Sequence, residues 1–395
     1  MKIAYVTMYD VLDRQSWPKT QLGMCQAGYS IAKNLENLGC EIEYVGGLQK
    51  KRSIVTKLKW EFYRRAQHRD YYRWAEPEIV RDFSRQIDRQ LKSRDFDVIL
   101  CAENAIPLAS LKVSKPLILW TDAPLSGSID FYPYLSNLCQ ETRNNIYKFE
   151  KQALDRCQVA IYASDWAAQN AIQTYQIPDR KVRTVPWGAN WDSSPTRSEV
   201  EQKVFQRSPN CCNLLFLGVE WTRKGGDIAL QVTEKLNQMG LKTTLTIAGS
   251  PPTCSLPDFA KYVGYLSKST KDGRNKLENI FKNSHFLILP TQAETYGMVF
   301  CEAHQFGLPC LTTNVGGVPS IVRHGITGFT FPKDTDISSY CDAISNVLRD
   351  PNRYYTMAMA AFDRYKTTLN WESSCQSVQK ILQNTFSIIL LEIFG

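Results

Sequence analysis

Residues Pro290–Gly328 read PTQAETYGMVFCEAHQFGLPCLTTNVGGVPSIVRHGITG. Just before them, the apolar run Phe286–Leu289 has the length and composition of a strand buried on both faces. Thr291–Gly297 reads as a turn, Met298–Phe306 as a helix, and Pro309–Thr312 as a second short strand. Strand, helix and strand in so short a span is the repeating unit of a parallel sheet with helices on its faces.

The same alternation runs outward in both directions. Before this stretch in the second half lie strands at Asn213–Leu217, Thr243–Ala248 and Tyr262–Val263, and Gly328–Phe331 follows it. Helices fall at Gly226–Met239, Leu277–Asn283 and Ile337–Arg349. The first half has strands at Ile3–Thr7, Ile42–Val45, Val98–Ala102, Pro116–Trp120, Val159–Tyr162 and Val182–Val185, with amphipathic segments such as Gln21–Leu38 and Asn144–Arg156 between them. Trp191–Arg197 is polar, contains Ser and Pro, and reads as a linker. The expectation is an α/β chain of two doubly wound, Rossmann-like halves. Ligand would then bind at the carboxyl ends of the strands, in a cleft across which the halves face each other.

Composition agrees with this class. A chain of 395 residues holds two domains or so, and 43% hydrophobic against 22% charged residues is ordinary for a globular protein. The net charge is +8, and Lys50–Arg73 holds nine basic residues against Glu61 and Asp70. Nearly all the excess is therefore local, unlike the spread basic surface of a nucleic-acid-binding module, and no nucleic-acid partner is expected. Trp60, Phe62, Tyr63, Tyr71, Tyr72 and Trp74 are interleaved with it. Two readings stand: peripheral contact of residues 50–74 with an anionic membrane or acceptor, or an amphipathic helix packed on the first domain with a solvated basic face. Twelve scattered cysteines form no C-x-x-C pair and only four histidines exist, so a zinc site is not expected and reduced thiols in the cytoplasm are. No run approaches the length of a membrane span; Ile388–Phe394 is apolar but short.

Glu294 and Glu302 stand eight apart, the first in the turn after a strand and the second on the following helix. Backbone amides of Thr295, Tyr296, Gly297 and Met298 open that helix, where the helix dipole favours an anion. One segment can thus offer a carboxylate to sugar hydroxyls, amides to a phosphate, and a second carboxylate to a ribose diol. The bare spacing is weak, because two glutamates eight apart are commonly solvated residues of one helix. Leu215–Asp227, LFLGVEWTRKGGD, is the second motif. A strand ends at Gly218, a loop carries Arg223 and Lys224, and Gly225–Gly226 opens a helix, a placement suited to neutralising a diphosphate without a metal. Trp120–Thr121–Asp122 ends a strand of the first half. Asp122 either orients or deprotonates an acceptor hydroxyl or caps the turn Ala123–Ser126.

The string P-x-x-A-E-x-Y-G-x-x-x-x-E-A-x-x-x-G-x-P, with T-x-x-G-G-V-P-S-I-V and G-x-T-G-F after it, resembles the retaining nucleotide-sugar glycosyltransferases of family 4, which have the GT-B fold. The likeness continues at Leu117–Ala123, Asp130–Pro133, Ala160–Ala168, Val185–Asn190 and Trp221–Asp227, and covers most of the chain. It implies that Glu302 binds the donor ribose. Glu294, as a catalytic residue, would bind a sugar hydroxyl and stabilise the transition state, and Lys224, with Arg223 as a second cation, would hold the diphosphate beside Gly218. Many such relatives have Arg where Val219 stands, and His near Asp122. Val263–Gly264–Tyr265 resembles the segment that frames the donor base, so Tyr265 joins the donor site. Relatives have a Gly-containing loop where Asp10–Thr20 has Ser16–Trp17–Pro18–Lys19–Thr20; this reads as a surface loop whose Lys19 or Thr20 side chain is the alternative phosphate contact. The implied domains are an acceptor-side domain over residues 1–190, a donor domain over 191–370, and a final helix within 371–395 that crosses back to the first.

The implied reaction is retaining, metal-independent transfer from a nucleotide-diphosphate sugar to a sugar, lipid-linked or other hydroxyl acceptor. No cofactor or metal is expected. The expected location is the cytoplasm, free or at the inner face of a membrane. A nucleotide-sugar epimerase or phosphorylase on the same fold, or a silent donor-binding protein, are the alternatives.

Overall fold

Short apolar runs become two parallel sheets. The computed structural model describes residues 1–191 and 193–394, the side chains of Lys19 and of 387–394 excepted. One sheet contains β1 (Lys2–Val6), β2 (Glu41–Val45), β3 (Val98–Cys101), β4 (Leu117–Thr121), β5 (Val159–Tyr162) and β6 (Val182–Thr184), in the order β2-β1-β3-β4-β5-β6. The other contains β7 (Cys211–Gly218), β8 (Lys242–Gly249), β9 (Ala260–Tyr262), β10 (Phe286–Leu289), β11 (Cys310–Thr313) and β12 (Gly328–Phe331), in the order β12-β11-β10-β7-β8-β9. Every neighbouring pair is parallel. Parallel strands are covered on both faces, and β3, β4, β5, β10 and β11 are accordingly buried at every residue.

In each sheet the chain winds outward in both directions from one central pair. That pair is β1 and β3 in the first sheet, and β7 and β10 in the second. Between such strands the crossover loops part, leaving a crevice at the carboxyl ends where ligands of doubly wound sheets bind.

The helices of the first unit are α1 (Leu22–Asn37), α2 (Ile54–Ala66), α3 (Pro77–Leu91), α4 (Leu125–Ser128), α5 (Gln140–Arg156) and α6 (Asp165–Tyr175). Those of the second are α7 (Arg197–Gln206), α8 (Trp221–Lys224), α9 (Gly226–Gln238), α10 (Lys271–Asn283), α11 (Met298–Gln305), α12 (Ile337–Leu348) and α13 (Pro351–Thr367), and α14 (Trp371–Phe394) follows. Their ends obey local chemistry. Ser164 caps α6 by accepting from the Ala167 amide, Thr196 and Glu199 form a capping box on α7, and Thr270 caps α10. The Thr270 cap starts α10 six residues before the expected Leu277, because its first turns are too polar to show an apolar stripe.

The chain divides into a unit of Met1–Asn190 joined by the segment from Trp371 onward, and a unit of Trp191–Asn370. Helix α14 belongs to the first unit by its side chains. Trp371 meets Trp120 and Trp187 with ring centroids 6.2 and 6.0 Å apart. Gln379 donates to the Leu38 carbonyl at 3.0 Å, and Cys375, Val378 and Leu382 are buried. Burying Val378 and Leu382 stabilises this docking by about 1.5–3 kcal/mol each.

Residues 50–74 give helix α2 and a following turn. The helix is tied to the first unit through polar side chains, with Thr56 its one buried residue; Lys57, Arg64 and Arg65 are solvated as the packed-helix reading expects, but Ile54, Leu58 and Phe62 are exposed as well. Among the described residues, no helix is long and apolar enough to cross a membrane.

Candidate functional site

β7 and β10 are hydrogen-bonded neighbours, with Leu214 opposite Phe286 and Leu215 opposite Leu287. Their carboxyl ends therefore emerge side by side at the crevice of the second sheet. β7 ends at Gly218, and Arg223 and Lys224 follow on α8, a single helical turn rather than the expected loop. Glu220 enters that turn at φ 72°, with its amide donating to Ser250 Oγ at 2.8 Å. Gly225 leaves it at φ 79°, in the left-handed region where a side chain is strained. A Cβ on Gly225 would also collide with the Pro290 carbonyl oxygen. Glycine is thus required where the chain turns from α8 into α9 against the segment that follows β10.

The two segments are tied by backbone and side chain. The Gln292 amide donates to the Arg223 carbonyl at 2.7 Å, and Arg223 Nη1 donates to the Ala293 carbonyl at 2.6 Å. Arg223 also pairs with Glu220, and its guanidinium lies 3.8 Å from Glu294. The stem of Lys224 runs over Gly218, and its ammonium donates to the Glu294 carboxylate. Lys224 is 8% exposed and Glu294 9%. Removing one partner of so buried a pair strands the other charge, at a cost of about 3–5 kcal/mol.

After Glu294 the chain passes Thr295 and Tyr296, both buried, and turns at Gly297 with φ 99° into α11. The first turn of α11 contains no acidic residue, and the helix dipole places partial positive charge at that end. Glu302 lies on the same helix, 4% exposed, and its carboxylate accepts from Lys268. Lys268 also sits 5.4 Å above the Trp191 ring. Among the donor-site residues expected from sequence, the structure thus gathers Gly218, Arg223, Lys224, Glu294, Thr295, Tyr296, Gly297 and Met298 around the β7–β10 crevice, with Glu302 further along α11. Tyr265 stands in the loop after β9 and is 63% exposed. Its neighbour Gly264 accepts from the Gly249 amide at 3.0 Å, placing this loop at the carboxyl end of β8.

In the first unit, Asp122 follows β4. Its Oδ1 accepts from the Ala123 amide at 2.8 Å and from Thr121 Oγ1 at 3.3 Å, both of them adjacent residues. The Asp10–Thr20 loop is pinned by buried Trp17, whose Nε1 donates to the Asp10 carbonyl at 2.9 Å. The Lys19 side chain lies outside the described residues.

Sequence reasoning missed Glu103. It follows β3, and its Oε2 accepts from the amide of Met8, just past β1, at 2.7 Å. The carboxylate therefore spans the central pair of the first sheet, at the equivalent crevice. Burial pushes its pKa up to about 7. An acidic residue two positions beyond the apolar run Val98–Cys101 was the available signal. Its meaning depends on β1 and β3 being neighbours, which sequence order does not reveal. Among the described residues, no group of three or more His, Cys, Asp or Glu is placed to hold a metal ion.

Residues 206–364 match a family model described as glycosyl transferases group 1. The D-inositol 3-phosphate glycosyltransferase of Mycolicibacterium paratuberculosis is 25% identical over 239 residues, covering 58% of this chain and 53% of that protein. The enzyme of the same name from Mycolicibacterium smegmatis is 27% identical over 213 residues, 51% of this chain and 48% of that one. The chain thus spans about half the length of the curated relatives it matches. Sucrose-phosphate synthase from Thermosynechococcus elongatus superposes with a TM-score of 0.69 at 14% identity, over 98% of this chain and 100% of that one. HepE from Anabaena, solved in complex with UDP and glucose, gives 0.61 at 15% identity, over 97% and 99%. At such identities these structures establish the fold. The match to the glycosyl transferases group 1 model thus lies within residues 206–364, and the chain as a whole has the GT-B fold of these solved structures.

Proposed function

We propose that the chain is a retaining glycosyltransferase of family 4 that moves a sugar from a nucleotide-diphosphate donor to an acceptor hydroxyl without a metal. The observation that carries this reading is the buried Lys224–Glu294 pair at the β7–β10 crevice, beside the start of α11. A diphosphate there replaces Glu294 as the anion held by Lys224. Glu294 is then released to accept from a sugar hydroxyl and to face positive charge developing at the anomeric carbon. Arg223, Lys224 and the α11 amides take up charge on the departing diphosphate as its bond to the sugar breaks. The acceptor oxygen bonds to the anomeric carbon on the face the diphosphate leaves, and the hydroxyl proton passes to the diphosphate oxygen.

Glu302 receives the ribose hydroxyls by giving up Lys268, and Tyr265 lies against the base. On the acceptor side, Asp122 and Glu103 are the carboxyl groups at the strand ends of the first unit. Partners in this reading are the nucleotide sugar and a sugar, lipid-linked or other hydroxyl acceptor, with peripheral membrane contact through residues 50–74. Curated relatives named as glycosyltransferases support transfer over the epimerase, phosphorylase and silent-binding alternatives.

A mass-spectrometric assay with UDP-, GDP- and ADP-sugars against a panel of hydroxyl acceptors tests the reading. The expected result is a glycosylated acceptor from one donor class, equimolar nucleoside diphosphate, an unchanged anomeric configuration and no loss in chelator. Absence of transfer across the panel contradicts it. Loss in chelator that only a divalent metal restores contradicts metal independence, and inverted product contradicts retention.

A further inference from the structure

Helix α2 is mounted inside out. Its inward side is polar: Lys59 Nζ reaches Glu76 at 3.1 Å and Glu141 at 2.5 Å, and Tyr63 OH donates to Glu141 at 2.9 Å. Arg73 Nε donates to Thr56 Oγ1 at 3.0 Å. These contacts clamp the helix to the first unit through hydrogen bonds and ion pairs. The apolar residues are turned the other way. Ile54 is 79% exposed, Leu58 65% and Phe62 54%, and Val55 beside them is 59% exposed. Positions 54, 58 and 62 recur every fourth residue and so form one continuous stripe. A surface helix of a soluble protein ordinarily shows the opposite arrangement, and a contiguous apolar stripe left in water marks an interaction surface.

The charge around the stripe identifies its occupant. Lys50, Lys51 and Arg52 precede the helix, exposed. Lys57, Arg64 and Arg65 border the stripe on the same helix, and Arg69 follows it, all exposed. Glu61 is the single acid of the helix and is already paired with Arg64 at 3.0 Å and Arg65 at 2.8 Å. A second copy docked stripe to stripe would bring these cations together and be repelled. A bilayer with anionic headgroups accepts both features, the stripe among its acyl chains and the cations among its phosphates. With 13 residues the helix is about 20 Å long, enough to lie in the interface and far short of spanning it.

We propose that α2 is the membrane-docking element of the first unit. The Ile54–Leu58–Phe62 stripe inserts into an anionic bilayer surface, and Lys50–Arg52, Lys57, Arg64 and Arg65 engage its headgroups. This names the surface for the peripheral contact of the reading above, and its residues lie outside the donor site.

Vesicle sedimentation of the full chain tests the inference without any nucleotide, so it stands or fails separately from the transferase assay. Wild type is expected to pellet with phosphatidylcholine vesicles containing roughly 30% phosphatidylglycerol and to remain in solution with phosphatidylcholine alone. The combined variant Ile54→Ser, Leu58→Ser, Phe62→Ser is expected to lose at least about tenfold in partitioning. Lys51→Glu with Arg52→Glu should also weaken binding and flatten its salt dependence. These side chains are exposed, so the melting temperatures of both variants should stay near wild type. No binding by wild type, equal binding to neutral vesicles, or unchanged binding by the triple variant would each overturn the proposal. Sedimentation equilibrium without lipid gives the remaining outcome: a dimer abolished by the triple variant would assign the stripe to a second copy and overturn the membrane assignment.

Discussion

Lys224 and Glu294 are 70 positions apart in the chain, yet the ammonium of one donates to the carboxylate of the other inside the crevice between β7 and β10. The contact follows from topology, since each residue lies just beyond the carboxyl end of one of two adjacent parallel strands. In the proposed reaction Glu294 acts on the sugar and Lys224 on the diphosphate, so their variants should behave differently. Glu294→Gln keeps shape and hydrogen-bonding capacity but loses charge. It is expected to lower kcat by about 100-fold to 1,000-fold, the scale for removing one group that stabilises developing charge. Nucleotide affinity should change by less than about threefold, as hydrogen bonding is retained. A steady-state titration with the active donor separates the two, and an unchanged kcat removes Glu294 from the mechanism.

The Glu302 carboxylate accepts from Lys268. If it receives the ribose hydroxyls, Glu302→Ala should weaken nucleoside diphosphate binding by about tenfold or more, the scale of a charge-assisted hydrogen bond. The loss should vanish for the 2′,3′-dideoxy nucleotide, which lacks the diol. Calorimetry with both nucleotides checks this. An equal loss for both would show that Glu302 supports the fold and not the ribose.

Gly225 joins α8 to α9 at φ 79°, with the Pro290 carbonyl where a Cβ would be. Gly225→Ala should destabilise the protein by about 1–3 kcal/mol, through backbone strain and steric displacement. Because Lys224 is the preceding residue, donor affinity should fall as well. Denaturant unfolding and nucleotide titration read the two effects. Wild-type values for both would mean that the turn yields without strain.

Two buried histidines of the second unit make its stability depend on pH. Burial lowers the pKa of His304 to about 3 and that of His285 to about 4. His285 Nδ1 accepts from the Asn213 amide at 3.0 Å, a bond that needs the neutral ring. Unfolded histidine takes a proton near pH 6.5, whereas these folded rings stay neutral well below it. The unfolded state therefore binds more protons, and stability falls as pH drops from about 6.5 toward 4, by several kcal/mol in all. Thermal unfolding between pH 7.5 and 4.5 should show a steep drop that His304→Phe makes shallower, on the linkage of about 1.4 kcal/mol per pH unit per proton. An identical slope in that variant would contradict the assignment to His304.

Much of this was legible in sequence because parallel strands announce themselves. Val159–Tyr162, Phe286–Leu289 and Gly328–Phe331 have the same limits in the structure as in the apolar pattern. Helices with polar starts were harder, as α10 shows, and α3 and α13 were not singled out at all. The pairing of Lys224 with Glu294, and the placing of Glu103 against Met8, depend on which strands are neighbours. That order is set by the handedness and packing of crossovers, not by any local signal. The reversed mounting of α2 was hidden for another reason. Its pattern is amphipathic in either orientation, and only the partners of Lys59, Tyr63 and Thr56 show which side faces inward.

The central claim is that the crevice between β7 and β10 holds a nucleoside diphosphate through Lys224. The direct measurement is the melting temperature of wild type and of Lys224→Ala with UDP, GDP and ADP, each at millimolar concentration. The account predicts that one nucleotide raises the wild-type transition clearly, by about 2.7 kcal/mol of stabilisation at a hundredfold excess over Kd, and leaves Lys224→Ala unshifted. No shift with any of the three, or the same shift in the variant, would contradict it.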